Sequence, residues 1–298
     1  MTTLPIPETV LADLRQRRLA GQSIKAMAAD VGVTWQKLDK AIRHGIRRQV
    51  DPMTIPADGQ TQEASQALPQ PAPGTGPLVD RYRPRTLAAI VGQDDLVAQL
   101  RTFAANPYPA AFLFEGETGT GKSSAALALA GELGCDLSQK PPEFGGLHVI
   151  ASGEQTADTV RDIYQQMWHC PFTGSGWKVL IVNEADRMHV QAETIWLDRL
   201  ESLPPKTVIV FTTNFPEKLS PRFRDRCTRL AFQSDAAKLA RSARKLLAGI
   251  WQRETGQMVE PSSFSHIVDQ ATENGRLSFR RAVQFLAPLV QTQKRGAL

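Results

Sequence analysis

From residue 110 onward the chain alternates short, nearly uninterrupted apolar runs with longer stretches of helical period. The runs are AAFLFEG (110–116), LHVIAS (147–152), KVLIVNEA (178–185), TVIVFTTN (207–214) and TRLAF (228–232). A strand with one face in water alternates apolar and polar residues, whereas one that is apolar throughout is buried on both faces. With helices between them, these runs predict a parallel sheet covered on both sides, a three-layer α/β domain over residues 79–233. After Phe232 the strand pattern stops. Three helical patterns follow, at about 235–254, 261–273 and 278–290, and predict a small helical lid over residues 234–298.

Upstream the pattern differs. Residues 51–78 are dense in Pro, Gln, Ala and Gly and nearly free of large apolar residues, with Pro69, Pro71 and Pro73 favouring an extended backbone, so this stretch reads as a semi-stiff linker. It sets off a small all-α domain at residues 1–50. There, Ser23 to Arg43 read as two helices around Val31-Gly32-Val33, with Ile24, Met27, Ala28, Val33, Leu38 and Ile42 spaced to fill one small core. This is the pattern of a DNA-binding helix-turn-helix. Thr34 caps the second helix, and Trp35, Gln36, Lys37, Lys40 and Arg43 lie where they can meet bases and phosphates. A helical hairpin that docks proteins fits the same pattern.

The charge distribution adds to this more than the net charge of +5 does. Residues 1–50 carry nine Lys/Arg against four Asp/Glu and residues 235–298 carry ten against five, leaving 16 against 21 between them. Two basic ends around an acidic middle suit nucleic acid contact, and solvated helix faces give the same counts. No window approaches the length of apolar sequence that a membrane helix needs, and the N-terminus lacks the order of a signal peptide; the expectation is a cytoplasmic protein without a membrane partner. Cys135, Cys170 and Cys227 are far apart with no CxxC spacing, which argues against a disulfide framework or a zinc module.

Two motifs carry chemistry. Gly116-Glu117-Thr118-Gly119-Thr120-Gly121-Lys122-Ser123, followed by Ser124, fits GxxxxGK[ST] between a strand and a helix, the context this motif requires. Glycines let backbone N–H groups turn toward phosphates, Lys122 reaches their oxygens, Ser123 ligates Mg²⁺, and the helix N-terminus adds partial positive charge. ATP and Mg²⁺ are the expected ligands. KVLIVNEAD (178–186) is an apolar strand ending in Asn183-Glu184-Ala185-Asp186, where a second metal ligand (Asn183) and a general base (Glu184) belong in such proteins. Asn183 stands where aspartate is expected and supplies an oxygen without a charge. Slow hydrolysis is therefore expected.

At this point the sequence resembles a family, the clamp-loader small subunits of the AAA+ class, replication factor C and its archaeal relatives. Arg81-Tyr82-Arg83-Pro84-Arg85-Thr86-Leu87 with Ile90-Val91-Gly92-Gln93 resembles the segment that wraps the adenine, which implies Arg83, Pro84 and Val91 as base contacts. NEAD is similar to the family's acidic strand end. TTNFPEKLSPRFRDRC (212–227) resembles its sensor-1 strand and arginine-finger segment, which implies Asn214 near the γ-phosphate and Arg226 presented to a neighbouring subunit's ATP; a solvated basic loop is the plainer reading of Arg222, Arg224 and Arg226. Leu277-Ser278-Phe279-Arg280-Arg281-Ala282 is similar to the sensor-2 helix, with Arg280 as the phosphate contact and Arg281 as the lesser candidate. The resemblance implies an ATPase acting on DNA, a homo-oligomer formed with ATP or a hetero-oligomer with other AAA+ subunits, and a sliding clamp or helicase as client. Family subunits continue into a helical collar for which the chain after Arg281 leaves no room, so assembly through the ATPase faces alone is expected. An ATP-switched DNA-binding regulator and a protein-remodelling ATPase remain the alternatives.

Overall fold

The computed structural model describes residues 76–296, all within one unit of the chain, Ala64–Leu298. The expected helix-turn-helix, with Thr34, Trp35, Gln36, Lys37, Lys40 and Arg43, and the linker up to residue 75 lie outside the described residues. A four-residue helix, α1 (Leu78–Arg81), leads in. It is followed by α2 (Asp94–Ala105), β1 (Ala110–Glu115), α3 (Lys122–Glu132), β2 (Leu147–Ile150), α4 (Ala157–Gln166), β3 (Lys178–Val182), α5 (Val190–Leu200), β4 (Thr207–Thr213), α6 (Pro221–Asp225) and β5 (Thr228–Ala231). The last part comprises α7 (Ala236–Thr255), a 3₁₀ turn at Pro261–Phe264, α8 (Ser265–Gln270), β6 (Thr272–Glu273), β7 (Arg276–Leu277) and α9 (Phe279–Gly296).

The five long strands form one parallel sheet in the order β2-β3-β4-β1-β5. Alternation along each strand divides the side chains between two layers. Phe112, Phe114, Val179, Ile181, Val208 and Val210 meet α2 and α3 on one face. Leu113, Leu180, Val182, Ile209 and Phe211 meet α4, α5 and α6 on the other. The runs of β1, β3 and β4 are uninterrupted because both faces are covered, whereas in the edge strand β5 only Leu230 is buried.

α3 packs through Ala125, Ala126, Ala128 and Ala130, all fully buried, whose small side chains let the helix that begins at Lys122 lie close on the sheet. On the opposite face Trp196 and Phe223 stack edge-on against Phe211, with centroids 5.2 and 4.9 Å away. Each such aromatic pair contributes about 1 kcal/mol beyond its buried area.

The lid has its own apolar cluster, which includes Leu239, Leu247, Ile250, Phe264 and Leu286 and also takes in Leu78, Tyr82 and Val91 from the lead-in. Here the structure corrects the expectation that strands stop at Phe232. The stretch at 261–273 is a 3₁₀ turn, a six-residue helix and the first arm of a hairpin in which Thr272 and Glu273 pair with Leu277 and Arg276. The cause is Asn274-Gly275, both with positive φ (51° and 74°). Two left-handed residues in succession close a two-residue hairpin, and Asn-Gly is the pair that adopts this most readily. Arms of two residues are too short to show alternation. The third helix also continues past Pro288 to Gly296. Among the described residues, no helix is long and apolar enough to cross a membrane.

Candidate functional site

The C-terminal ends of β1, β3 and β4 are neighbours in the sheet, so the loops that follow them converge. This is where parallel α/β sheets bind ligands. The loop after β1 turns through Gly119 (φ +82°) and Gly121 (φ +104°), the latter being the residue before α3. A Cβ on Gly119 would meet Ser278 Oγ of the lid at 2.1 Å, so glycine is required there by backbone conformation and by contact. Thr120 ties the loop to itself by donating to the Glu117 carbonyl at 2.8 Å.

Lys122 is buried, and its Nζ donates to the Gly116 carbonyl (2.7 Å), the Glu117 carbonyl (2.8 Å) and Asn214 Oδ1 (2.8 Å). The fold thus brings Lys122 and Asn214 together across 92 residues of sequence. Burial and the nearby Arg280 push the Lys122 ammonium down to about 8, against the opposing pull of Asp186 and Glu184. Burial and Arg280 also lower Arg83, whose Nε donates to Ser124 Oγ at 3.3 Å. Three cations are therefore held together, and no carboxylate pairs with Arg280 among the described residues. Arg281, by contrast, turns away to Glu273 and the Gln270 carbonyl.

At the end of β3, Asn183 Oδ1 accepts from Ser123 Oγ at 2.9 Å and from Thr212 Oγ1 at 3.4 Å, joining the two expected metal ligands. Glu184 has φ +53°, a left-handed conformation that costs a non-glycine residue about 1 kcal/mol or more and is concentrated at functional sites. Several contacts hold it there. Its N–H donates to Thr212 Oγ1 at 3.2 Å, its carbonyl accepts from buried Gln155 Nε2 at 3.2 Å, and its Oε2 accepts from Ser152 Oγ at 2.6 Å and pairs with Arg187 Nε at 3.2 Å. Gln155 Nε2 also donates to the Asn183 carbonyl. Asp186 secures the end of β4 by accepting from Thr213 Oγ1 at 2.7 Å.

The loop after β1 borders a cavity of about 910 Å³, whose wall includes Arg83, Pro84, Val91, Gly119, Thr120, Gly121, Ser124 and Arg280. Elsewhere its wall has apolar side chains, Ile90, Leu246, Phe279 and Val283, together with Arg81, Glu254 and Lys294. Gly116, Glu117, Thr118, Lys122, Ser123, Asn183, Glu184 and Asn214 lie outside its wall, though Lys122, Ser123, Asn183, Glu184 and Asn214 are joined by the contacts above. Glu117 pairs with Arg276 of the lid hairpin. Arg226 also lies outside the wall: it follows α6 and pairs with Glu201 after α5. Ser152, Gln155, Thr212, Arg276 and Ser278 belong to the site's surroundings and carry no spacing that announces them. Each reaches its partner only through the packed fold.

The residues fit a nucleoside triphosphate. The cavity has a drug-sized volume, one end suited to an aromatic base and the other lined by cations that repel one another until an anion lies among them. They also fit Mg²⁺. Ser123 Oγ and Asn183 Oδ1 lie 2.9 Å apart at the end of β3, and hard cations take oxygen donors of this kind, with phosphate oxygens completing the set.

This is the P-loop α/β fold of the AAA+ class. The chain superposes on RuvB of Thermotoga maritima, described as a Holliday junction branch migration motor, with a TM-score of 0.55 at 16% identity, over 74% of this chain and 68% of that one. A likeness at this identity concerns the fold alone. The family model for DNA polymerase III, delta subunit, matches residues 92–236. Replication factor C small subunit from Thermofilum pendens is 33% identical over 156 residues, 52% of this chain and 47% of the relative. Replication factor C subunit 3 from Saccharomyces cerevisiae is 32% identical over 163 residues, 53% of this chain and 45% of the relative. The chain therefore spans about half the length of the curated relatives it matches, and the likeness is to clamp-loader proteins of the AAA+ class.

Proposed function

We propose that this protein is a clamp-loader-like AAA+ ATPase that binds ATP and Mg²⁺, assembles on DNA and loads or remodels a replication or recombination partner. The observation that carries this reading is the convergence of Lys122, Ser123, Asn183, Glu184 and Asn214 at the C-terminal ends of three adjacent strands, with Arg280 of the lid beside the phosphate loop. Bound, ATP supplies a γ-phosphoryl group and Mg²⁺ the charge that withdraws electrons from it.

The protein's part is positioning and proton handling. Lys122 exchanges loop carbonyls for phosphate oxygens, and Arg280 and Arg83 lose their mutual repulsion. Glu184 orients water and accepts its proton at Oε1, because Oε2 is occupied by Ser152 and Arg187. Ser123 and Asn183 hold the metal. Asn214, in reach of Lys122, orients the ammonium. Gly116, Glu117, Thr118, Gly119, Thr120, Gly121 and Ser124 form the cradle, and Pro84 and Val91 flank the base. Arg226 stabilises charge in a neighbouring copy or another AAA+ subunit. The domains are a helix-turn-helix at 1–50 that holds DNA through Thr34, Trp35, Gln36, Lys37, Lys40 and Arg43, a linker at 51–78, an ATPase core at 79–233 and a lid at 234–298. A cytoplasmic location and a sliding clamp or helicase as client complete the reading.

Steady-state ATP turnover without DNA and with duplex, single-stranded and primer-template DNA tests it. Stimulation by primer-template supports a loader, and indifference to every DNA overturns the DNA-linked reading. A second reading, an ATP-held switch with little turnover, is favoured by Asn183, because an amide oxygen bonded to Ser123 brings no negative charge to the metal.

A further inference from the structure

At the base end of the cavity, the carboxylate of Glu254 near the end of α7, a residue given no role above, has only 3% of its side chain exposed. Burying a carboxylate is costly unless donors surround it. Four do. Oε1 accepts from Arg81 Nη2 at 2.5 Å and from the Tyr82 hydroxyl at 2.8 Å; Oε2 accepts from Arg81 Nη1 at 3.1 Å and Lys294 Nζ at 2.6 Å. A carboxylate has about four lone-pair sites, so none remains for a ligand.

The donors come from different parts of the chain. Arg81 and Tyr82 belong to the lead-in, 173 and 172 residues away in sequence, and Lys294 lies on α9, 40 residues away. Glu254 itself is on α7. All four side chains line the cavity or its rim. Burial alone would raise the Glu254 carboxyl, but hydrogen bonds from Lys294, Tyr82 and Arg81 outweigh it and hold the group below the ordinary carboxylate range. Charge-assisted bonds of this kind are about twice as strong as neutral ones.

We propose that Glu254 is a positioning residue for nucleotide binding: it ties the lead-in to both long lid helices, preforms the base end of the cavity and makes lead-in and lid move together. This rests on the ATP reading. α1 has four residues, too few to persist as an isolated helix. Without Glu254 the lead-in keeps Leu78 and Tyr82 as apolar anchors, while Arg81 and Lys294 are left as unpaired cations. The docked fraction falls, and apparent affinity falls in proportion. The phosphate loop is built on the core; Arg83 of the lead-in and Arg280 of the lid reach it, so the phosphate end feels this cluster less than the base end does.

The test uses the full chain and the variants Glu254→Gln and Tyr82→Phe. Hydrogen exchange over residues 78–84 is read without nucleotide. Affinity is read for a ribose-labelled fluorescent ATP and for inorganic tripolyphosphate, which reaches only the phosphate end. Expected for Glu254→Gln are faster exchange over 78–84, about tenfold weaker binding of the labelled ATP if the docked fraction falls to about a tenth, and a clearly smaller loss of tripolyphosphate affinity, through Arg83 alone. Tyr82→Phe moves the same quantities less, and it carries the test with Lys294→Met if Glu254→Gln does not fold. Unchanged exchange overturns the proposal, and so does an equal loss for both ligands, which marks general destabilisation. Wild-type protein that binds neither ligand refutes the ATP reading, and the exchange measurement then judges the Glu254 cluster by itself.

Discussion

The two ends of the cavity satisfy their polar groups in opposite ways. At the base end the buried charge is partnered: Glu254 is surrounded by Arg81, Tyr82 and Lys294, beside the apolar Ile90, Leu246 and Val283. At the phosphate end burial and the nearby Arg280 lower the proton affinity of Lys122 and of Arg83, and Lys122 makes do with carbonyl and amide acceptors. The base end is complete as it stands, while the phosphate end is electrostatically incomplete and is built for an anion. Changes at the phosphate end should therefore alter chemistry and anion affinity steeply. Changes at the base end should alter how well the nucleotide is held.

The largest expected effect is on turnover. Glu184→Gln keeps the shape of the side chain and removes the proton acceptor, so ATP hydrolysis should fall by about a hundredfold or more while ATP still binds. Parallel measurement of turnover and nucleotide affinity checks this, and an equal loss of both would mean that Glu184 serves to bind rather than to react. Next is Lys122→Ala. Removing a cation that makes charge-assisted bonds to phosphate, each contributing about 1.5–3 kcal/mol, should weaken ATP by about a hundredfold. Unchanged affinity in a titration would remove the phosphate end from the comparison altogether.

Much of this division was legible in the sequence, and for a physical reason. The phosphate end is made of contiguous residues, Gly116 to Ser123, on a loop fixed by a strand and a helix whose patterns are plain. All five strands appear where uninterrupted apolar runs predict them. The supports of the site were not legible. Ser152 and Gln155 come from the loop after β2 and act on Glu184 and Asn183 about thirty positions downstream, and their residue types occur in any polar loop. Glu254 reads in sequence as an ordinary charge at a helix end, and only the packing of the lead-in on the lid reveals that it is buried. The lid hairpin was missed because its arms have only two residues each and flank Asn274-Gly275 in the gap between the helical patterns at 261–273 and 278–290, although that pair is itself a turn signal.

A smaller effect tests the metal part of the phosphate end. Asn183→Asp adds a negative charge beside Ser123, where Asn183 Oδ1 now accepts a hydroxyl. Turnover should rise about tenfold, which corresponds to roughly 1.4 kcal/mol of barrier. Single-turnover kinetics at saturating Mg²⁺ separate this from a change in ATP affinity. If the native protein already turns over quickly and the variant matches it, the asparagine is neutral and the switch-like reading is wrong.

The smallest effect follows from the Lys122 ammonium, which sits at about 8 in the free protein. An anion among the cations stabilises its charged form, so binding phosphate raises that value, and the complex holds a proton which the free protein has lost above pH 8. Affinity should therefore be level below pH 8 and fall above it, by about tenfold at pH 9, because each pH unit above the free group's value costs a factor of ten in the binding-competent form. Stability of the unliganded fold should move the other way. The native state gives up this proton at lower pH than the unfolded chain does, so the unfolded chain binds more protons between about 8 and the ordinary lysine value of 10.5, and the Lys122 contribution to stability rises with pH across that window. ATP and tripolyphosphate should lose affinity in parallel, because the titrating group is at the end they share. Lys122→Met should abolish the dependence. Calorimetric titrations at pH 7 and 9, in buffers of different ionisation enthalpy, measure both the affinity and the proton taken up. A dependence shown by ATP but not by tripolyphosphate would place the titrating group at the base end and reverse the assignment of the two ends.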